Sequence, residues 1–147
     1  MKRTLRAMAV AAAAMAGSGA FAAGAYDGIY NVPNSPLYIS VHQNGNHVIA
    51  GQFYTVPTQD LGVSGPGIPS NINLWDVFGG DIAGNTVVVS GSAILNSCNI
   101  SYRIEFDATG AYMKLIAASN TAFGNQIGMN CGALASGSQT VRVNRVF

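Results

Sequence analysis

Cys98 and Cys131 are the only cysteines, and their chemistry follows from their number and setting. An even count in a chain that carries an export signal argues for a disulfide, and the pair lacks the Cys-x-x-Cys closeness that lowers a thiol pKa for redox work. His42 and His47 are the only histidines. Asn44-Gly45 between them supplies residues for a type I′ turn, which would set the two rings directly opposite each other with Cβ atoms roughly 5 Å apart. That is close enough to share Zn²⁺, Cu²⁺ or Ni²⁺. With no third His, the expectation is a weak, exposed pair and neither a physiological metal centre nor a cofactor.

The acids are Asp27, Asp60, Asp76, Asp81, Glu105 and Asp107, and of these only Asp76 sits inside an apolar strand pattern. Buried there, it would be a raised-pKa acid or a hydrogen-bonded structural group, the second being commoner. Gly62-Val63-Ser64-Gly65-Pro66 misses the Gly-x-Ser-x-Gly spacing of a nucleophile elbow. Gly62, Gly65 and Gly67 have no helix N-terminus to complete a phosphate cradle. No set of residues reads as a catalytic constellation, so the chain is expected not to be an enzyme.

The elements that position these residues begin after a leader. Lys2, Arg3 and Arg6 precede an apolar run from Ala7 to Ala16, and Ala20-Phe21-Ala22 offers small residues for cleavage, the layout of a secretory signal peptide over 1–22. Removing three of the seven basic residues leaves four against six acids, so the mature net charge is 4 − 6 = −2. A nucleic-acid partner is excluded by the lack of a basic stripe. Residues 23–147 have the length of one domain, and no later run approaches the ~18 apolar residues of a spanning helix.

The mature chain reads as all-β. Tyr26–Val32 stops at Pro33, and Leu37–Gln43 alternates Leu37, Ile39 and Val41 against Tyr38, Ser40 and His42. A loop at Asn44-Gly45 then pairs Val41 with Val48, Ile39 with Ala50 and Leu37 with Gln52 on the core face. Residues 46–56, 72–82, 86–95, 98–106, 111–119 and 140–147 give the further strands. Gly84-Asn85-Thr86-Val87 echoes Gly45-Asn46-His47-Val48, which reads as repeated hairpin chemistry. No amphipathic helix follows the leader, and 120–137 reads as irregular. About eight antiparallel strands in sequence order imply a small meander barrel or a two-sheet sandwich.

Pro57 to Asn71 holds three prolines and three glycines and reads as a long exposed loop. Asp60, Leu61, Val63 and Ile68 are its candidate recognition residues.

Two resemblances bear on location. Phe147 with Val143 and Val141 before it is similar to the ending of bacterial outer-membrane barrels, from which Arg145 departs. Gly28-Ile29-Tyr30, Pro33, Tyr38-Ile39-Ser40-Val41, Gln43, Gly45 and Phe53-Tyr54-Thr55 resemble a hairpin of uncharacterised exported bacterial β-proteins, in which an aromatic-x-x-Pro turn precedes paired strands. This chain lacks the paired tryptophans of that hairpin. The resemblance implies export and an all-β fold and brings no activity with it.

The expected function is a non-catalytic binding module, periplasmic or secreted. It would engage a protein partner or a small apolar ligand through the 57–71 loop or the barrel mouth. The alternative is a small outer-membrane β-barrel or an envelope structural subunit, which would make the membrane its partner.

Overall fold

The computed structural model describes residues 24–62, 65–94 and 97–147. The expected leader over 1–22 and the candidate recognition residue Val63 lie outside the described residues.

Eight antiparallel strands close into one barrel in sequence order. They are β1 (Gly28–Asn31), β2 (Tyr38–Asn44), β3 (His47–Pro57), β4 (Asn71–Ala83), β5 (Thr86–Ala93), β6 (Cys98–Asp107), β7 (Gly110–Asn120) and β8 (Val141–Arg145). Closure is made by β1 against β8, with Tyr30 opposite Arg145 and Asn31 opposite Asn144. The expected meander is therefore a barrel and not a sandwich. Alternation drives it: every second residue turns inward, and the inward positions are apolar, as with Ile39 and Val41, Val48 and Ala50, Val87 and Val89, and Ile104 and Phe106.

The connections sort into two kinds. Gly45-Asn46, Gly84-Asn85 and Ala108-Thr109 are two-residue turns at one end. All longer connections are at the other end: 32–37, the 57–71 loop, 94–97 and the segment from 121 to 140. These are the turn end and the loop end below.

Gly45 and Gly84 both have φ near +60°, at 59° and 65°, and the residue after each keeps negative φ. That is the type II′ pattern, which needs glycine only at its first central position. The hairpin echo in the sequence is thus one turn used twice. It also moves the β2–β3 register by two residues from the expected one, because Asn44 stays in the strand opposite His47 and Val41 pairs with Ala50. A two-residue shift preserves which side chains face inward, so the core survives the correction. Gly80 marks a close approach, where a Cβ would fall 2.0 Å from the Val88 carbonyl oxygen.

Two short helices, α1 (Ala122–Gln126) and α2 (Gly132–Ser136), replace the expected irregular stretch. Thr121 caps α1, its hydroxyl accepting from the Gly124 N–H at 3.0 Å. A 3₁₀ turn at Thr58–Leu61 opens the 57–71 loop.

Candidate functional site at the barrel mouth

The barrel interior is filled at one end and open at the other. Towards the turn end, Tyr26 stacks on Phe106 with centroids 4.4 Å apart, and Tyr30 packs against the same ring at 5.8 Å. The Tyr30 hydroxyl donates to the Tyr26 carbonyl at 2.9 Å. Burial pushes the Tyr30 phenol up, a shift opposed by the Arg145 guanidinium. Tyr30, Ile39, Val41, Phe106 and Val143 leave a void of about 10 Å³ between them, at the lower limit for one water.

At the loop end the inward positions part. Leu37, Gln52, Tyr102, Met113 and Leu115 surround an opening of about 300 Å³, with Val32 and Val141 at its edge. That is the lower bound for small-molecule pockets. Tyr102 meets Phe78 edge to face at 5.4 Å, which links the mouth to the core. Its phenol is pushed up by burial and further by the Asp76 carboxylate.

Asp76 is buried and opposite Gln52 in the β3–β4 ladder. Its oxygens accept from the Tyr54 hydroxyl at 3.1 Å and from the Ile94 N–H at 2.8 Å. Of its two anticipated roles it therefore has the structural one. It ties β4 to the β5–β6 connection.

The disulfide Cys98–Cys131 forms, with both cysteines fully buried. It fixes the α1–α2 segment to the start of β6 beside the mouth. Asn120 adds to this, its amide donating to the Met129 carbonyl at 2.6 Å while its oxygen accepts from the Cys131 N–H at 3.0 Å. Thr121 also donates to the Ser97 carbonyl at 2.7 Å. The pieces of chain bordering the mouth on this side are thus covalently and polarly anchored.

The 57–71 loop is ordered at its base. The hydroxyl of buried Thr58 donates to the Pro69 and Ser70 carbonyls at 2.8 and 3.1 Å, and its backbone N–H donates to the Ser70 carbonyl at 3.0 Å. A depression of about 440 Å³ lies over this base, with Ile68 on its wall. Asp60 and Ile68 are exposed, and Leu61 belongs to the 3₁₀ turn.

The histidines do not face each other. His42 lies opposite Ile49 and His47 opposite Asn44, which leaves the rings on one face but diagonal. His47 turns to β4 instead, its Nδ1 3.0 Å from Asp81 Oδ1 and its ring above Gly79. The directly opposed pair is corrected by the glycine that sets the turn. No cluster of three or more His, Cys, Asp or Glu suited to a metal ion occurs among the described residues.

Sequence reading placed Leu37 and Gln52 inward without seeing an opening between them. Gln52 was the available signal, an amide on an otherwise aliphatic face. Met113 and Leu115 gave none, since inward apolar residues read as filled core.

No family model, no curated protein and no solved structure matches this chain.

Proposed function

We propose that this chain is an exported, non-catalytic binding module that holds a small apolar molecule in its barrel mouth. The observation that carries the reading is the opening of about 300 Å³ lined by Leu37, Tyr102, Met113 and Leu115 above a sealed floor. Met113 adapts its shape to irregular ligands, and the Gln52 amide supplies one polar contact to orient them. A non-catalytic role fits the engagement of Asp76, whose two oxygens already serve Tyr54 and Ile94. The disulfide suits an oxidising compartment, in keeping with the leader.

The test is titration of the oxidised protein with the neutral fluorescent probe N-phenyl-1-naphthylamine. Saturable binding at one site, lost in Leu115→Trp while the melt is retained, supports the mouth. Equal binding in that variant sinks it.

The runner-up is a membrane-spanning barrel or envelope subunit. It is favoured by two-residue turns at one end and longer connections at the other, the layout of outer-membrane barrels. The side-chain order opposes it. Spanning barrels fill their interior with polar residues, whereas here the interior is an apolar core of aliphatic and aromatic side chains and Arg103, Glu105 and Lys114 face out from β6 and β7. Recovery from the periplasm or culture fluid without detergent supports the module, and heat-modifiable migration from outer membranes supports the runner-up.

A further inference from the structure

The polar side chains that point into the barrel divide by whether the protein itself satisfies them. Tyr30 donates to the Tyr26 carbonyl, and the Gln43 amide donates to the Gly45 carbonyl at 2.9 Å. Tyr54 donates to Asp76, while Asn120 and Arg145 donate to the carbonyls of Met129 and Asp27. Gln52 and Tyr102 differ. Among the described residues neither the Gln52 amide nor the Tyr102 hydroxyl has a hydrogen-bond partner, and both line the opening of about 300 Å³.

An open mouth lets water serve such groups. An apolar molecule that enters takes the water away, and each group left unpaired then opposes binding unless the ligand brings a partner of its own. The two side chains are held for that contact. Phe78 meets the Tyr102 ring edge to face at 5.4 Å, and Gln52 stands in the ladder between Ile39 and Asp76. The amide offers two N–H donors and the phenol one O–H donor, and a carbonyl oxygen has two lone pairs to accept them.

We propose that the mouth takes neutral apolar molecules bearing one carbonyl oxygen, and that Gln52 and Tyr102 determine this specificity by donating to that oxygen. The proposal rests on the mouth reading and narrows it to a ligand class. Burial raises the Tyr102 pKa, so the phenol keeps its proton and stays a donor at neutral pH. A carboxylate head fits badly. No charged side chain lines the opening among the described residues, and Arg103 and Lys114, although level with it, occupy outward positions of β6 and β7. An anion would also meet the Asp76 carboxylate, whose charge already acts on Tyr102. Burying a charge without a partner is costly.

In the test, the oxidised protein is loaded with N-phenyl-1-naphthylamine, which 2-acetylnaphthalene, its hydrocarbon match 2-ethylnaphthalene, and 2-naphthoate compete off. Gln52→Leu and Tyr102→Phe should each lower the ratio of ketone to hydrocarbon affinity about fivefold, the effect of one hydrogen bond, and leave hydrocarbon affinity within about twofold of wild type. Naphthoate should bind at least about tenfold more weakly than the ketone. If probe and hydrocarbon bind but neither variant changes the ratio, the proposal is overturned and the mouth reading stands. Naphthoate binding as tightly as the ketone has the same consequence. Failure of the probe itself to bind removes the mouth reading and this proposal with it. The melt of Gln52→Leu should match or exceed that of wild type, because no protein partner is lost; a clear drop would give Gln52 a structural role and overturn the proposal. A last readout needs no variant: the infrared carbonyl stretch of 2-acetylnaphthalene bound to wild type should fall below its value in hexane, and an unshifted band overturns the proposal.

Discussion

The two ends of this barrel are built from the same strands and differ in almost every other respect. At the turn end, three connections of two residues each hold the strands close, and aromatic rings fill what remains. At the loop end, longer connections let the strands part, and inward side chains line a space instead of filling it. Open space thus arises where the connections relax the packing, with no change in the alternation that makes the strands. The price is stability, which the loop end recovers through a disulfide and a buried carboxylate.

The largest expected effect breaks the sealed end. Phe106 is buried between Tyr26 and Tyr30. Phe106→Ala should lower stability by about 3 to 5 kcal/mol in denaturant melts. Leu115→Ala, at a site already open, should cost under about 1 kcal/mol, below the usual Leu→Ala range because no closed cavity is created. Equal losses would mean that the mouth is packed like the floor and that the contrast fails.

Removing the disulfide sharpens the comparison from the other side. In the chain-entropy model a loop of this size contributes about 3 to 4 kcal/mol. Cys98→Ala with Cys131→Ala should show a loss of that order. Hydrogen exchange should rise across 120–137 before it rises in β2 or β3. Uniform acceleration would show that the bond supports the whole barrel and not its mouth.

Asp76→Leu removes an acceptor while leaving the Tyr54 hydroxyl and the Ile94 N–H in place. An unsatisfied buried donor costs about 1 to 3 kcal/mol, so a loss near 2 kcal/mol is expected. A melt unchanged from wild type would show that both donors find water.

The smallest effect is a pH dependence at the turn end. Arg142 reaches across to Asp107, which also accepts from the Thr109 N–H at 2.8 Å, and the guanidinium lies over the Tyr112 ring at 4.8 Å. The hydrogen bonds from Arg142 and Thr109 hold the Asp107 carboxyl well below the usual carboxylate range. A depressed folded-state pKa contributes stability that is present above the unfolded value of about 4 and is lost as pH falls below it. Asp107→Asn should therefore show a small melting deficit that is constant from neutral pH to about pH 5 and shrinks below pH 4. A deficit that grows on acidification would reverse the sign and assign the effect to another group.

Much of the barrel was legible because its information is local. The period-two pattern of Ile100, Tyr102, Ile104 and Phe106 identifies both a strand and its inner face, and the proline at 33 ends another. Barrel closure was not legible. It depends on Tyr30 meeting Arg145, a contact between the two ends of the chain that no local pattern encodes. The turn register was ambiguous for a sharper reason. Asn44-Gly45 and Gly45-Asn46 both satisfy hairpin chemistry, and the choice rests on which position carries the positive φ. The histidine pair failed with that choice. The helices α1 and α2 escaped notice because Gly124, Gly128, Gly132 and Gly137 interrupt any 3.6-residue pattern within five-residue elements. The disulfide was accessible from counting alone. The mouth itself was hidden, since an inward leucine looks the same in sequence whether it fills a space or borders one.

Arg145 donates to the carbonyls of Ala25, Asp27 and Phe147, so one side chain gathers the start and finish of the described barrel at the turn end. The geometry this imposes is that of a tether. An anchor, a tag or a neighbouring domain attached at either terminus leaves the molecule on the side opposite its opening, and the mouth points away from whatever the chain is fixed to. Because the ends adjoin, a short linker joining them would also close the chain into a ring, and new ends could be cut into the 57–71 loop without breaking a strand. The molecule can be held from below, or rewired, with its mouth left clear.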